Sequence, residues 1–177
     1  MNVVITLPEH LIKAIIMGEK FFEIRTKVPK HFDERKDVVF VVQKGSKLVP
    51  LYFTIAAFFY YDSSSDKKYL AEKAAVSVEY IDNYIKGKKD ISAWVIGCAC
   101  KVYCPNNLYS DLKIGKNPQS FIYRDYEWRA VRFKSYVWLT KPINLLKTII
   151  PSVKTIIPTI EYERYMRRLS SAKPSTK

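Results

Sequence analysis

Five or six segments of this chain have the composition of β-strands, and only two or three segments have the periodicity of helices. The strand-like segments are rich in Val, Ile, Phe and Tyr, and several of them alternate apolar with polar residues. Helices and strands do not alternate regularly, as they do in sheets built from β-α-β units. We therefore expect an α+β fold with a small, mostly antiparallel β-barrel and flanking helices.

Caps and turn residues divide the chain into these segments. The strand-like segments are 20–28, 37–43, 48–61, 91–104, 120–123 and 129–140. A first helix is predicted to end at Gly18. Two more helices follow residue 61, with Ser65 or Asp66 as the N-cap of one and Ser77 as the N-cap of the other. The last of these helices has an apolar stripe of Tyr80, Ile81, Tyr84 and Ile85. The residues 105–107, Pro-Asn-Asn, are typical of a turn.

The segment 17–29, MGEKFFEIRTKVP, combines a glycine stop with a short alternating strand. Period two places Glu23, Arg25 and Lys27 on one face of this strand, and Lys20 lies just before them. Glu23 and Arg25 can form an exposed ion pair, which contributes less than about 1 kcal/mol. Alternatively, they form a preorganised pair in which the planar guanidinium of Arg25 binds a phosphate or a base edge.

Charge and composition narrow the classes of partner. The 177 residues include 30 Lys and Arg against 17 Asp and Glu, a net charge of +13, together with 13 tyrosines. Such an excess attracts polyanions, so nucleic acid and anionic membranes are the natural candidates. No apolar run approaches the roughly 20 residues of a membrane helix, and no signal peptide is visible. We expect a soluble, cytoplasmic protein without a membrane partner.

The three cysteines, Cys98, Cys100 and Cys104, do not have the spacing of a structural zinc site, and neither histidine completes such a pattern. An odd number of cysteines also suits a reducing compartment. We expect reduced thiols, no metal and no cofactor.

The motif at Gly18, Lys20, Glu23 and Arg25 resembles the signature of the ASCH domains, members of the PUA-like superfamily, in which a glycine, a lysine, a glutamate and an arginine have this spacing. Three later features resemble the same family in the same order. They are the helix and strand of 78–97, the loop 104–112 and the segment NPQSFIY at 117–123, which is similar to phage-type and bacterial members. The resemblance covers about residues 1–125.

The resemblance implies a PUA-like β-barrel that binds RNA, with the motif residues in a cleft beside the first helix. Some small ASCH proteins are acetylcytidine amidohydrolases that use the motif lysine, a threonine and a later glutamate. Lys20 matches that lysine, but Glu23 stands where those enzymes carry the threonine. Lys20 and Glu23 are therefore the catalytic candidates if the protein is an amidohydrolase, and Lys20 can act as a base only if burial lowers its pKa.

Further candidate residues for binding nucleic acid come from the second half of the chain. Gln119, Ser120 and Tyr123 are interpreted as a wall of the cleft, although turn and core roles explain them equally well. Trp128 is flanked by charges, as expected for an exposed residue that stacks on a base, whereas Trp94 is typical of a core aromatic. The basic residues that complete the set are Arg129, Arg164, Arg167 and Arg168.

We divide the chain into an ASCH or PUA-like core at 1–125, a C-terminal strand with short helices at 126–169 packed on the same domain, and a flexible tail at 170–177. Three functions remain open. The first is binding of RNA or another single-stranded nucleic acid, including recognition of a modified base. The second is hydrolysis of an acylated nucleoside. The third is a protein of phage or mobile-element origin that binds a host protein.

Overall fold

The computed structural model describes residues 1–61, 66–87, 91–102 and 104–126, together with the backbone of 133–137. Within these residues the chain forms seven strands and four helices. The strands are β1 Asn2–Leu7, β2 Phe22–Arg25, β3 Val39–Gln43, β4 Leu51–Tyr61, β5 Ile91–Val102, β6 Phe121–Arg124 and β7 Phe133–Val137. The helices are α1 Glu9–Met17, α2 Lys67–Ala74, α3 Val78–Ile85 and α4 Pro105–Asp111.

The seven strands belong to one sheet, and six of them follow a path in the order β2, β5, β4, β3, β1, β6. The first half of β5 pairs with β2, and its second half pairs with β7. Among the described pairs, β1 and β3 are parallel and the others are antiparallel. The predicted α+β class and mostly antiparallel sheet are confirmed. Closure into a barrel stays a prediction, because within the described residues no backbone ladder joins β2 to β6.

Strand β1 is absent from the sequence-based prediction. It lies between β3 and β6, and Val3, Val4 and Ile5 are fully buried. A short apolar run immediately before a helix has no distinctive period, so whether it forms a strand depends on the partner strands on both sides. The position of β1 in the sheet is therefore a consequence of tertiary pairing.

The residues after β5 form helix α4, so the predicted turn at 105–107 is wrong. Pro105 occupies the beginning of this helix, where its missing N–H group costs no hydrogen bond. Leu108 and Tyr109 are buried in the same apolar cluster as Phe40 of β3. This packing stabilises a short helix whose composition is equally suited to a turn.

Helices α2 and α3 begin at predicted caps. The side chain of Asp66 accepts a hydrogen bond from the backbone N–H of Tyr69, and that of Ser77 accepts one from the backbone N–H of Tyr80. The predicted apolar stripe of α3 is only partly a core face, because Ile81 is fully buried whereas Tyr80 is 49% exposed. Trp94 is a core residue, as predicted.

Candidate ligand-binding site

The turn after α1 directs Lys20 into the protein. Gly18 has a φ of 73°, in the left-handed region that favours glycine. The backbone N–H groups of Gly18, Glu19 and Lys20 donate to carbonyls of the last turn of α1, which satisfies the end of the helix. The chain then enters β2, and Lys20 is buried. The predicted stop at Gly18 is confirmed, and its effect is to bury the lysine two residues later.

The ammonium group of Lys20 meets three acceptors. Its Nζ atom donates to the carbonyl oxygens of Phe22 at 2.6 Å and Ala74 at 2.9 Å, and it lies 3.2 Å from Oε2 of Glu23. An ammonium group has three N–H bonds, so these acceptors match the charged form. Burial lowers the pKa of Lys20 from its ordinary value, and the Glu23 carboxylate opposes part of that shift.

Glu23 is shared between two cations. Its Oε2 atom faces Lys20, and its Oε1 atom lies 2.8 Å from Nη2 of Arg25. Lys20, Glu23 and Arg25 are 1%, 3% and 8% exposed, so these three residues form a buried ion cluster. The predicted common face of Glu23 and Arg25 is confirmed, but the pair is buried rather than exposed. The cluster holds two cations and one carboxylate, so removal of Glu23 leaves the buried positive charges uncompensated, a loss of roughly 3–5 kcal/mol.

Arg25 connects the two ends of the strand path. Its Nη1 atom donates to the carbonyl oxygen of Ser120, just before β6, at 3.0 Å. Its Nη2 atom donates to the carbonyl oxygen of Thr6 in β1 at 3.4 Å. The outer nitrogens of the guanidinium are therefore engaged by the protein itself, while the buried Nε has no partner. The buried hydroxyl of Thr6 also has no partner.

A cavity of about 580 Å³ opens above the ion cluster. Buried side chains of the cluster form its floor, and Thr6 and Gln119 contribute to its walls. The volume lies in the range of small-molecule sites, roughly 300–1,000 Å³. Both unpartnered polar atoms, Nε of Arg25 and Oγ1 of Thr6, belong to residues that line this cavity. Buried groups without a partner are rare, and these two atoms are enclosed by protein rather than exposed to the cavity.

Two tyrosines of α3 form one side of the cavity. Tyr80 and Tyr84 are one helical turn apart, with ring centroids 6.0 Å apart and an angle of 12° between the ring planes. Burial raises the pKa of both phenols, so both are neutral near pH 7. The pair presents parallel, uncharged aromatic rings beside a charged floor.

The entrance of the cavity carries two exposed lysines from separate loops. Lys44 lies in the turn between β3 and β4, and Lys116 lies in the loop between α4 and β6. Asn117 connects these loops, because its Nδ2 donates to the carbonyl of Ser46 at 3.1 Å and its Oδ1 accepts from the hydroxyl of Tyr109 at 2.9 Å. Lys44 and Lys116, the entrance pair, are thus held at one opening.

Comparison with known proteins identifies the fold. No protein-family model matches the sequence, and no curated protein matches it. A crystal structure of a ZmASCH mutant from Zymomonas mobilis matches with a TM-score of 0.57 and 18% identity, over 71% of this chain and 89% of that one. The crystal structure of ASCH from the same organism matches with a TM-score of 0.52 and 17% identity, over 87% and 96%. The chain has the ASCH fold.

Within the ASCH fold, the four motif residues have distinct positions. Gly18 ends α1, and Lys20, Glu23 and Arg25 lie together at the floor of the cavity. Lys27 follows β2, is exposed and does not line the cavity. The structure therefore brings together three of the four charged residues that the sequence assigned to this strand and its entry.

The other predicted site residues divide into three groups. Gln119 lines the cavity, and Ser120 takes part through its carbonyl oxygen, which accepts from Arg25. Tyr123 packs instead against His31, with ring centroids 5.5 Å apart, and its hydroxyl accepts from the His31 backbone N–H. The remaining candidates lie outside the described residues; they are Trp128, Arg129, Arg164, Arg167 and Arg168.

Sequence reasoning did not assign Thr6, Lys44, Tyr80 or Tyr84 to a site. The one available signal was the spacing of the two tyrosines, four residues apart on a predicted helix, which was interpreted as a core stripe. No local sequence pattern marks Thr6 or Lys44 as a site residue, because they reach the cavity only when β1, β2 and β3 are assembled into the sheet.

In the described part of the chain, no helix has the length and apolar character needed to cross a membrane. The same residues contain no group of three or more His, Cys, Asp or Glu side chains placed to hold a metal ion. Cys98 is half-buried, Cys100 is buried and Cys104 is exposed, and all three are free thiols.

Proposed function

We propose that this protein binds single-stranded nucleic acid, RNA in the first place, by inserting one base into the cavity above the ion cluster. One observation carries the proposal. A cavity of about 580 Å³ presents a tyrosine pair together with an excess of positive charge.

The tyrosine pair supplies the affinity for a base. Proteins recognise single-stranded RNA by stacking unstacked bases on aromatic rings and by hydrogen bonds to their exposed edges. Each stacked base contributes about 1–3 kcal/mol. Tyr80 and Tyr84 are neutral and parallel, and α3 holds them in fixed register beside the opening.

The floor supplies the specificity for a base edge. Three of the five N–H groups of Arg25 are engaged by Ser120, Thr6 and Glu23, and the second N–H of Nη1 remains for a ligand. A carbonyl oxygen of a base can accept from this N–H group. The cavity of about 580 Å³ also has room for a base with an added substituent, which fits recognition of a modified base.

Fluorescence anisotropy with single-stranded RNA, single-stranded DNA and duplex DNA tests the proposal at two salt concentrations. Tyr80→Ala removes an exposed wall residue, and Tyr60→Ala is its matched control, because Tyr60 is 43% exposed and does not line the cavity. We expect Tyr80→Ala to weaken RNA binding about tenfold, in line with one lost stacking contact, and Tyr60→Ala to leave it unchanged. Equal effects of the two variants, or no binding of RNA by the native protein at low salt, refute the proposal.

A second candidate function is hydrolysis of an acylated nucleoside. The observation that favours it is the buried Lys20, whose pKa burial lowers, next to Glu23 at the cavity floor. The three acceptors around its ammonium group oppose a role as base, since a neutral amine leaves one of them without a donor. Release of acetate from N4-acetylcytidine by the native protein, lost in Lys20→Met, supports hydrolysis. Absence of release from the native protein excludes it for that substrate.

A further inference from the structure

We propose that the entrance pair, Lys44 and Lys116, binds a phosphate group, so that the cavity takes a nucleotide in preference to the unphosphorylated nucleoside. This inference rests on the proposed function and names the ligand class of the same site. In this arrangement, the base of the nucleotide binds at the floor of the cavity and its phosphate binds at the opening.

The two loops that carry the entrance pair are fixed relative to each other. The backbone N–H of Lys44 donates to the carbonyl of Leu7 at 2.8 Å, which attaches the first loop to the end of β1. Asn117, the neighbour of Lys116, donates to the carbonyl of Ser46 in that same loop. The two loops that carry these cations are therefore attached to each other and to β1 before any ligand binds.

The positive charge of the opening is not neutralised by any residue in the described part of the chain. Several other lysines of the described chain have acidic partners; these ion pairs are Lys13–Glu9, Lys36–Asp33, Lys67–Asp82 and Lys73–Glu72. Within the described residues, no carboxylate lies within ion-pair distance of Lys44 or Lys116. Of the lining residues that the structure describes, Glu23 is the one acidic residue, and its two oxygens already face Lys20 and Arg25.

Among the described residues, the lining therefore has four cationic side chains and one carboxylate, an excess of three positive charges. Such an excess in a concave site of low dielectric constant attracts an anion strongly. Lysine binds phosphate as a compact point charge, and its flexible stem suits a group at an entrance. A nucleotide satisfies both halves of the site, because its base can reach the tyrosine pair and the floor while its phosphate stays at the opening.

The test compares two double variants that remove the same charge from the same two loops. Lys44→Gln with Lys116→Gln removes the entrance pair. Lys47→Gln with Lys113→Gln is the matched control, because both lysines are exposed and neither lines the cavity. Binding of a labelled five-nucleotide single-stranded RNA is measured over a range of salt concentrations, and a nucleoside and its 5′-monophosphate are used as competitors.

We expect the magnitude of the slope of log affinity against log salt to fall by about 0.7 in the entrance-pair variant, for one lost phosphate contact on a single strand, and to change much less in the control. We also expect the monophosphate to compete at least tenfold better than the nucleoside with the native protein, and this advantage to disappear in the entrance-pair variant. If the monophosphate does not compete but binding of the pentanucleotide depends on the entrance pair, the phosphate that binds there is an internal phosphate of the RNA strand.

Equal slopes for the two double variants overturn the inference. If Tyr80→Ala still weakens RNA binding in that case, the proposed function stands and only the phosphate assignment falls. If the native protein binds no RNA, the proposed function falls first, and the inference falls with it.

Discussion

A threonine-to-valine substitution at two strand positions has opposite expected effects on stability. In Thr6→Val, a methyl group replaces a buried hydroxyl that has no hydrogen-bond partner. In Thr54→Val, the same change removes an oxygen that accepts from the backbone N–H of Cys98 at 2.9 Å. Both side chains lie on strands and are partly buried, so the two variants differ mainly in the hydrogen bond.

The magnitude follows from the cost of an unsatisfied buried polar group, about 1–3 kcal/mol. Thr6→Val removes such a group and also introduces a residue with a high preference for strands, so the free energy of unfolding is expected to rise by about 1 kcal/mol. Thr54→Val creates such a group at the Cys98 N–H, so the free energy of unfolding is expected to fall by about 1–3 kcal/mol.

Urea unfolding monitored by circular dichroism measures both changes against the native protein. A loss of stability in Thr6→Val as large as that in Thr54→Val would show that the Thr6 hydroxyl has a partner and would refute this reasoning.

Three further predictions concern the fold. Gly97→Ala is expected to lower the free energy of unfolding by about 1–3 kcal/mol, because its new Cβ would lie 2.5 Å from Oγ1 of Thr54. Urea unfolding measures this change, and an unchanged urea midpoint would contradict the close packing of Gly97 on Thr54. Ser77→Ala removes the N-cap of α3 and is expected to cost about 1 kcal/mol, whereas Ser77→Asp should retain most of the stability. Cys104 is exposed, whereas burial raises the pKa of the thiols of Cys98 and Cys100. Mass spectrometry after alkylation at neutral pH should therefore find that Cys104 reacts rapidly and the other two cysteines react slowly. Equal labelling of all three would contradict the burial of β5.

Local patterns were sufficient for several elements of this protein. Strand β3 and helices α2 and α3 were predicted, because strand periods, caps and turn residues act over a few neighbours and are visible in the sequence. The cap at Ser77 and the stop at Gly18 follow from the hydrogen-bonding needs of helix ends, which are the same in any fold. The resemblance to the ASCH domains was likewise visible in the sequence, from four motif residues at a fixed spacing together with three later features in the same order.

The burial of the motif residues was not visible in the sequence. Period two places Glu23 and Arg25 on one face, but it cannot show whether that face meets solvent or protein. Strand β5, the residues before β6 and the turn from α1 together enclose it, and the ion pair becomes a buried cluster with Lys20.

The sequence by itself determined that this chain forms a basic α+β domain with a glycine-to-arginine motif between a helix and a strand. Only the tertiary structure decided what the motif faces. Thr6, Lys44, Tyr80 and Lys116 come from four separate segments, and they meet at one cavity because the sheet brings β1, the β3–β4 turn and the loop before β6 to the same end. The physical reason is that local periodicity depends on neighbours along the chain, whereas burial and the composition of a cavity depend on contacts between residues far apart in sequence.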